Sequence, residues 1–236
     1  MTQHIYYTGP WLSRQSMVHV PARLVVAPTG VIIRGLFPSV KARRMVSYEQ
    51  LLERDLLYLC DFAPQVVDIR EQPFKFQYAM GNKIRRYTPD FALIMADGSI
   101  LVIEVKPARS MTKPGVREKF QHIKAAMQRQ GHQFILVSSE SIRAPHRLDN
   151  LKRLHRFLRQ PMPFELLQTL RQLKSQFGCQ RPIPMGQLEA VIGSSEPVLR
   201  LLAHGQVSCD LDQPITARSL ITLTKQETSY VFVNSL

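Results

Sequence analysis

Three charged residues in the stretch 88–106 are of the types that a phosphodiester-cleaving site uses. Asp90 precedes an apolar run, and Glu104 and Lys106 lie at the end of a second apolar run. Two close carboxylates repel each other unless one is protonated or a cation bridges them, and carboxylate and water ligands suit Mg2+ or Mn2+. A lysine beside such an ion can orient or help deprotonate an attacking water and offset negative charge on a phosphate. The set is therefore suited to metal-assisted hydrolysis of a phosphodiester.

The segment that carries these residues predicts a largely buried β-hairpin. Two runs rich in Ile, Leu, Val and Phe flank an Asp-Gly turn signal at residues 97–98. Two registers are open, because the loop length decides which residue lies opposite Asp90. A two-residue loop sets Asp90 opposite Val105. A three-residue loop, with Gly98 in the left-handed conformation as a bulge, sets Asp90 opposite Glu104.

Only the second register makes a carboxylate pair. Strand side chains alternate, so Lys106 then shares a face with Glu104 and three charges converge. The alternative is an ordinary hairpin with charged residues at its solvated edge. Against that alternative, Glu104 interrupts the apolar run 100–105, where a lone buried charge is costly.

Length and composition bound the class of protein. At 236 residues and 44% hydrophobic content, the chain can form one large domain or two smaller ones. The first thirty residues lack a signal-peptide pattern, and no apolar run approaches a membrane span, so we expect a soluble, unexported protein. The 3 cysteines have no metal-type spacing, which indicates neither a disulfide framework nor a zinc site.

The net charge of +13 is distributed unevenly. Residues 1–160 contain 25 Lys+Arg and 12 Asp+Glu, whereas residues 161–236 contain 6 of each. A positive excess on the part that carries the acidic motif favours a polyphosphate partner, of which nucleic acid is the first candidate. A charge that serves only solubility is the alternative, but it does not explain the asymmetry.

A helix before the hairpin supplies two more candidate carboxylates. Ser47 with Gln50 three residues later forms a capping-box pattern, and leucines at helical spacing predict a helix over residues 47–61. Glu49 and Glu53 both fall on the margin of its apolar face. Either could lean towards the sheet, and for each the alternative is an ordinary carboxylate on the helix surface.

The remaining pattern before residue 160 predicts an α/β fold. Short strands are expected in an N-terminal arm at residues 24–26 and 31–33, and longer ones at residues 66–71, 74–78 and 84–87, building the sheet towards the hairpin. Beyond the hairpin, a helix over residues 114–131 and a strand over residues 133–138 imply a parallel crossover. A further helix over residues 145–159 is amphipathic and basic, which suits either DNA phosphates or solvent.

A proline-rich boundary at residues 161–163 precedes a segment of different character. Helices over residues 164–177, 185–192 and 196–203, followed by strands at 207–211 and 220–223, predict a small winged-helix-like domain. Its third helix offers only Arg200 and His204 as cations. Such a helix is poorly equipped to read DNA, so we expect a protein-binding domain.

Several segments together resemble a known family. Pro89-Asp90 and Glu104-Val105-Lys106 resemble the PD-(D/E)xK signature of restriction-endonuclease-like nucleases. The segments LERDLLYLCDF, VVDIREQPF, YTPDF and IEVKP, in this order and spacing, resemble TnsA, the endonuclease subunit of heteromeric transposases, over about residues 30–140. The resemblance implies a restriction-endonuclease-like mixed sheet flanked by helices.

The resemblance also implies roles for individual residues. The family's catalytic glutamate follows a leucine of the helix segment, which selects Glu53 over Glu49. Glu53, Asp90 and Glu104 are then the expected metal ligands, and Lys106 is expected to position the nucleophilic water. The implied cofactor is Mg2+, for which Mn2+ is expected to substitute. The implied location is the bacterial cytoplasm, in association with the nucleoid.

The implied function is cleavage of the non-transferred (5′) strand at transposon ends during cut-and-paste transposition. Residues 1–160 would form the endonuclease domain with its arm, acting on double-stranded DNA beside a TnsB-like transposase. Residues 161–236 would contact a TnsC-like AAA+ ATPase. Two alternatives remain: a stand-alone restriction or repair endonuclease of the same fold, and a catalytically silent DNA-binding adaptor.

Overall fold

The computed structural model describes residues 19–22, 33–179 and 181–223. They fall into two compact units, one ending at Ile142 and one beginning at Arg143. The strands expected at residues 24–26 and 31–33 lie outside the described residues, apart from Ile33. Within the described ranges, no helix is both long and apolar enough to cross a membrane.

The first unit is built from eight strands and four helices, within the part of it that the structure describes. In chain order they are β1 (Gly35–Ser39), β2 (Arg44–Tyr48), α1 (Leu51–Phe62), β3 (Val66–Glu71), β4 (Phe76–Met80), β5 (Lys83–Tyr87), β6 (Phe91–Met95), β7 (Ile100–Lys106), α2 (Ala108–Met111), α3 (Pro114–Arg129), β8 (Gln133–Ser138) and α4 (Ser139–Ile142).

The central sheet is mixed and has the strand order β3-β6-β7-β8. β3 and β7 each pair with β6 in antiparallel orientation, and β8 pairs with β7 in parallel orientation. Parallel neighbours require a crossover connection, which α3 provides here. The mixed α/β architecture with flanking helices, predicted from the sequence, is confirmed.

The hairpin β6–β7 adopts the register with the three-residue loop. Phe91 lies opposite Ile103, and the Met95 N–H donates to the carbonyl of Ser99 at 2.9 Å. Gly98 has φ of 89°, the left-handed conformation that glycine adopts without steric penalty. Continuing this register by one residue sets Asp90 opposite Glu104.

Two short hairpins stand apart from the central sheet. β1 pairs with β2, and β4 pairs with β5, each as a separate two-stranded antiparallel sheet. The expectation that the strands near residues 74–78 and 84–87 extend the central sheet is therefore wrong. Instead, buried aromatic side chains of β4 and β5 pack with α3 and with β7 and β8 in one apolar cluster, which includes Phe76, Tyr78, Tyr87, Val102, Phe120 and Phe134.

The helix α1 begins later than its sequence pattern indicates. Ser47 does not cap it, because Ser47 lies in β2 opposite Leu36, and its N–H and hydroxyl both donate to Glu71 at 3.3 Å. Gln50 is the residue before the first helical turn. The segment with the capping-box pattern therefore begins in a strand, and the hydroxyl of Ser47 binds Glu71 instead of capping the helix.

The second unit contains α5 (Arg147–Leu158), α6 (Phe164–Phe177), β9 (Ile183–Pro184), α7 (Met185–Ile192), α8 (Ser195–Ala203) and β10 (Leu220–Ile221). β9 pairs with β10, and Ser208 forms an isolated bridge to Thr222, so the strand expected at residues 207–211 is reduced to one bridge. The three helices predicted after residue 163 are present as α6, α7 and α8, but the first strand of the small β-element, β9, lies between α6 and α7 and not after the third helix.

The unit boundary lies earlier than the proline-rich signal at residues 161–163. Contacts of α5 with α8 place α5 in the second unit. Asn150 of α5 donates to the carbonyls of Leu211 and Gln213 at 2.9 and 2.7 Å, and Arg147 binds Asp212 through two hydrogen bonds of 2.6 Å. The unit that begins at Arg143 therefore carries the basic residues of α5 and is not neutral.

Candidate active site

Asp90 lies immediately before β6, where two neighbouring strands hold it. Its backbone carbonyl accepts a hydrogen bond from the N–H of Gln72 at 2.9 Å, and its Oδ2 accepts one from the N–H of Val105 at 2.8 Å. Gln72 follows β3 and has a positive φ of 43°. The carboxylate is thus fixed against the end of β7, beside Glu104.

Glu104 is buried within the strand β7, with 4% of the residue exposed. Its Oε1 lies 2.5 Å from the Nζ of Lys106, and its Oε2 accepts a hydrogen bond of 2.5 Å from the hydroxyl of Tyr87. Residues two apart in a strand share a face, which explains the contact with Lys106. Glu104 is therefore a paired carboxylate and not a stray charge at the edge of a hairpin.

Glu53 reaches the site from the helix α1. It is 6% exposed, and its Oε2 accepts a hydrogen bond of 2.8 Å from the N–H of Glu49. Glu49 instead directs its own carboxylate towards Arg34, at 3.7 Å. Glu53 interacts electrostatically with Asp90, Glu104 and Lys106, whereas the side chain of Glu49 pairs with an arginine.

The surroundings of Glu53 and Asp90 destabilise the ionised forms of both carboxylates. Burial, followed by repulsion from Glu49 and Glu104, raises the pKa of Glu53 to about 7, although the hydrogen bond from Glu49 N–H and the charge of Lys106 oppose the shift. Burial, followed by repulsion from Glu104 and Glu53, raises the pKa of Asp90 as well. A cluster of this kind favours the arrival of positive charge.

Lys106 supplies part of that positive charge. Burial lowers its pKa, but the neighbouring Glu104 and Asp90 outweigh burial and leave the pKa of Lys106 raised. Its Nζ also lies 5.9 Å from the ring centroid of Phe120. The ammonium form is thus favoured, which suits Lys106 to donating hydrogen bonds and to offsetting negative charge rather than to accepting a proton.

The residues fit a divalent cation by donor chemistry. Glu53, Asp90 and Glu104 form an all-oxygen set of the kind that Mg2+ and Mn2+ prefer. As they are placed, no three acidic, histidine or cysteine side chains in the described part of the chain could hold a metal ion. At Glu104, the ammonium of Lys106 and the hydroxyl of Tyr87 engage both carboxylate oxygens.

Two features of the site escaped the sequence reasoning. Tyr87 reaches Glu104 from the end of β5, and the only signal was its position three residues before Asp90. Glu71 binds Arg44 through hydrogen bonds of 2.8 and 2.6 Å, which ties β2 to β3 just before Gln72. Although burial opposes the shift, hydrogen bonds from His19 and Arg44 and the charge of Arg44 lower the pKa of Glu71 to about 2.

Comparison with known families agrees with this geometry. Residues 63–139 match the model of the family described as TnsA-like endonuclease N terminal. The matched segment contains Asp90, Glu104 and Lys106, and it begins after α1, so Glu53 lies outside it. The match supports a nuclease of the TnsA type.

Other comparisons add little. No curated protein matches the chain. Among solved structures, the crystal structure of protein VC1899 from Vibrio cholerae is similar to 45% of this chain, with 16% identity and a TM-score of 0.26. The similarity covers 26% of that protein, so the chain spans about a quarter of its length. A TM-score this low carries no argument about function.

Proposed function

We propose that the chain is a metal-dependent DNA endonuclease of the TnsA type, which cuts the non-transferred (5′) strand at transposon ends. The observation that carries the proposal is the register of the hairpin β6–β7, which sets Asp90 opposite Glu104 with Lys106 on the same face. The family match over residues 63–139 agrees with it.

Each residue of the site has a separate task in this proposal. Asp90, Glu104 and Glu53 are the ligands for the metal, and Asp90 is held for this task by the N–H of Val105. Lys106, kept as an ammonium by its acidic neighbours, donates a hydrogen bond that orients the attacking water and offsets charge on the phosphate. Tyr87 holds the Glu104 carboxylate in place.

The implied cofactor is Mg2+, with Mn2+ as a substitute. When bound, such an ion lowers the pKa of a coordinated water and stabilises charge on the phosphate oxygens. Glu104 would be one of the residues that hold the ion, and Lys106, which contacts Glu104 in the structure, would donate to the substrate.

The second unit is proposed as a winged-helix-like, protein-binding module. Support comes from the helix order α6-α7-α8 and from the pairing of β9 with β10. Arg200 of α8, one of its two cations, already donates to Gln160, and His204 contacts the carbonyl of Gln160 at 2.9 Å. A helix whose cations are engaged in this way suits a protein partner such as a TnsC-like AAA+ ATPase better than DNA.

Two alternatives to the proposed function are a catalytically silent DNA-binding adaptor and a stand-alone restriction or repair nuclease. A catalytically silent DNA-binding adaptor has no need to keep three carboxylates and a lysine together at an energetic cost. A stand-alone restriction or repair nuclease needs an element that reads bases. The helix α8, which would be the reading helix of a winged-helix-like unit, carries Arg200 but no cluster of Arg, Asn or Gln, so we favour the partner-dependent enzyme.

The test is nicking of an end-labelled transposon-end duplex with Mg2+, with and without a TnsB-like transposase and a TnsC-like ATPase. The proposal predicts cleavage mapped to the 5′ strand that appears only with the partners, and little or none by the lone protein. Vigorous, position-specific cutting in the absence of both partners would reject the hypothesis of a partner-dependent enzyme and favour the stand-alone nuclease.

A further inference from the structure

The hairpin β4–β5 carries an unbalanced positive charge next to the candidate active site. Residues 73–89 contain four Lys+Arg and no Asp or Glu. These cations are Lys75, Lys83, Arg85 and Arg86, and each of them is exposed. A segment with this charge in a chain of net charge +13 is a candidate contact surface for a polyanion.

These four cations have no carboxylate partner among the described residues, whereas several arginines elsewhere in the chain do. Elsewhere, ion pairs with N–O distances of 2.6 to 3.1 Å hold arginines against acids: Arg44 with Glu71, Arg54 with Asp55, Arg70 with Asp68, and Arg147 with Asp212. Unpaired cations are free to neutralise the charge of a ligand without first breaking an internal contact.

The hairpin is joined directly to the active site. β5 ends at Tyr87, whose hydroxyl donates to Glu104, and only residues 88–89 separate Tyr87 from Asp90. Aromatic contacts hold its base, with ring centroids of Phe76 and Tyr87 5.4 Å apart. A ligand bound along this hairpin is therefore positioned relative to Asp90 and Glu104.

The alternation of side chains along β5 determines which of these cations lie on the same face of the strand. Lys83 and Arg85 share a face with Tyr87, in steps of about 7 Å along the strand, whereas Arg86 lies on the opposite face. Cations repeated along an extended strand match a ligand whose negative charges are also repeated along a line. A nucleic acid backbone has this property, while an acidic protein surface presents isolated carboxylates.

We propose that the hairpin β4–β5 binds the phosphate backbone of the DNA duplex that is cut, through Lys83, Arg85 and Arg86. Contacts to the phosphate backbone do not distinguish one base sequence from another, but they fix the register of the duplex relative to the active site. The inference rests on the proposed endonuclease function and adds to it the surface that presents the scissile phosphate to Asp90.

The test measures binding of the full-length protein to a fluorescent duplex of random sequence by anisotropy, at several salt concentrations. The triple variant K83Q/R85Q/R86Q is compared with a control, R171Q/R181Q/R218Q, which removes the same charge from exposed arginines of the second unit. Thermal unfolding checks that each variant is folded, which the exposure of these side chains favours.

We expect the hairpin variant to bind on the order of 100-fold more weakly near 0.1 M salt. The slope of log K against log salt should fall by about 3, since each phosphate contact contributes about 0.9. The control should stay within a few-fold of the wild type.

Equal losses in the hairpin variant and the control would overturn the inference, since net charge alone would then explain binding. Hairpin and control variants that both bind like the wild type would overturn it too, while leaving the proposed nuclease intact. A wild-type protein that binds no duplex would instead refute the proposed function. Tighter, hairpin-dependent binding to an RNA duplex of the same sequence would contradict the assignment to DNA.

Discussion

The hydrogen bond from Tyr87 to Glu104 gives a quantitative prediction for Tyr87→Phe. The substitution removes only the hydroxyl, and it leaves the Oε2 of a buried carboxylate without its 2.5 Å donor. Hydrogen bonds to charged groups contribute about 1.5–3 kcal/mol. We therefore expect the free energy of unfolding, measured in EDTA, to fall by about that amount.

The same substitution should alter the response to metal. Groups that orient a metal ligand typically change metal affinity by about 10–100-fold when removed. The Mg2+ concentration for half-maximal nicking, assayed with the partner proteins, should therefore rise about 10–100-fold in Tyr87→Phe. Duplex affinity should stay unchanged, because the hydroxyl is buried and faces Glu104.

Tyr78→Phe is the matched control. Tyr78 packs in the same aromatic cluster, and its ring centroid lies 5.9 Å from that of Phe76, but its hydroxyl does not bind Glu104. Its removal should cost less than about 1 kcal/mol and leave the Mg2+ dependence unchanged. If Tyr87→Phe behaves like Tyr78→Phe in both assays, the role assigned to Tyr87 is refuted.

Two further predictions concern stability. Because the pKa of Glu71 is lowered from 4.5 to about 2, its hydrogen bonds with His19 and Arg44 and its ion pair with Arg44 stabilise the fold above about pH 4.5, and about 3 kcal/mol should be lost as the pH falls towards 2. Urea unfolding at pH 5 and pH 3 should show about 2 kcal/mol of this loss in the wild type and a smaller loss in Glu71→Gln, and equal losses would contradict it. Gly98→Ala should destabilise the protein by about 1–2 kcal/mol in thermal unfolding, because φ at this loop position is 89°. The control Gly115→Ala, in the first turn of α3 with no atom within 4 Å of the added Cβ, should be neutral or stabilising, and Gly98→Ala behaving the same way would refute the strain argument.

The sequence was sufficient to place the central hairpin and its crossover. Turn chemistry and strand alternation limited Asp90 to two registers, and the cost of burying Glu104 unpaired favoured the register that the structure has. The helix α3 and the strand β8 were also predictable, since proline at the helix start and an apolar run in β8 are strong local signals. The hairpin, α3 and β8 are each determined by residues that lie close together in the sequence.

Features that depend on distant contacts were not predictable. Ser47 has the local pattern of a helix cap, yet pairing with Leu36 and contact with Glu71 keep it in a strand. α5 precedes the proline-rich segment but packs with α8, and no pattern in the neighbouring sequence predicts this contact. Likewise, the pairing of Tyr87 with Glu104 required the placement of β5 beside the sheet.

The role of Asp90 as a metal ligand is tested most directly by Asp90→Ala in a nicking assay with Mg2+, a transposon-end duplex and the partner proteins, alongside duplex binding by the same preparation. The account predicts that strand cleavage is abolished, and that Lys106→Ala abolishes it as well. Duplex affinity should stay close to that of the wild type, because binding rests on many spread Lys and Arg contacts. Full nicking by purified Asp90→Ala would contradict the account.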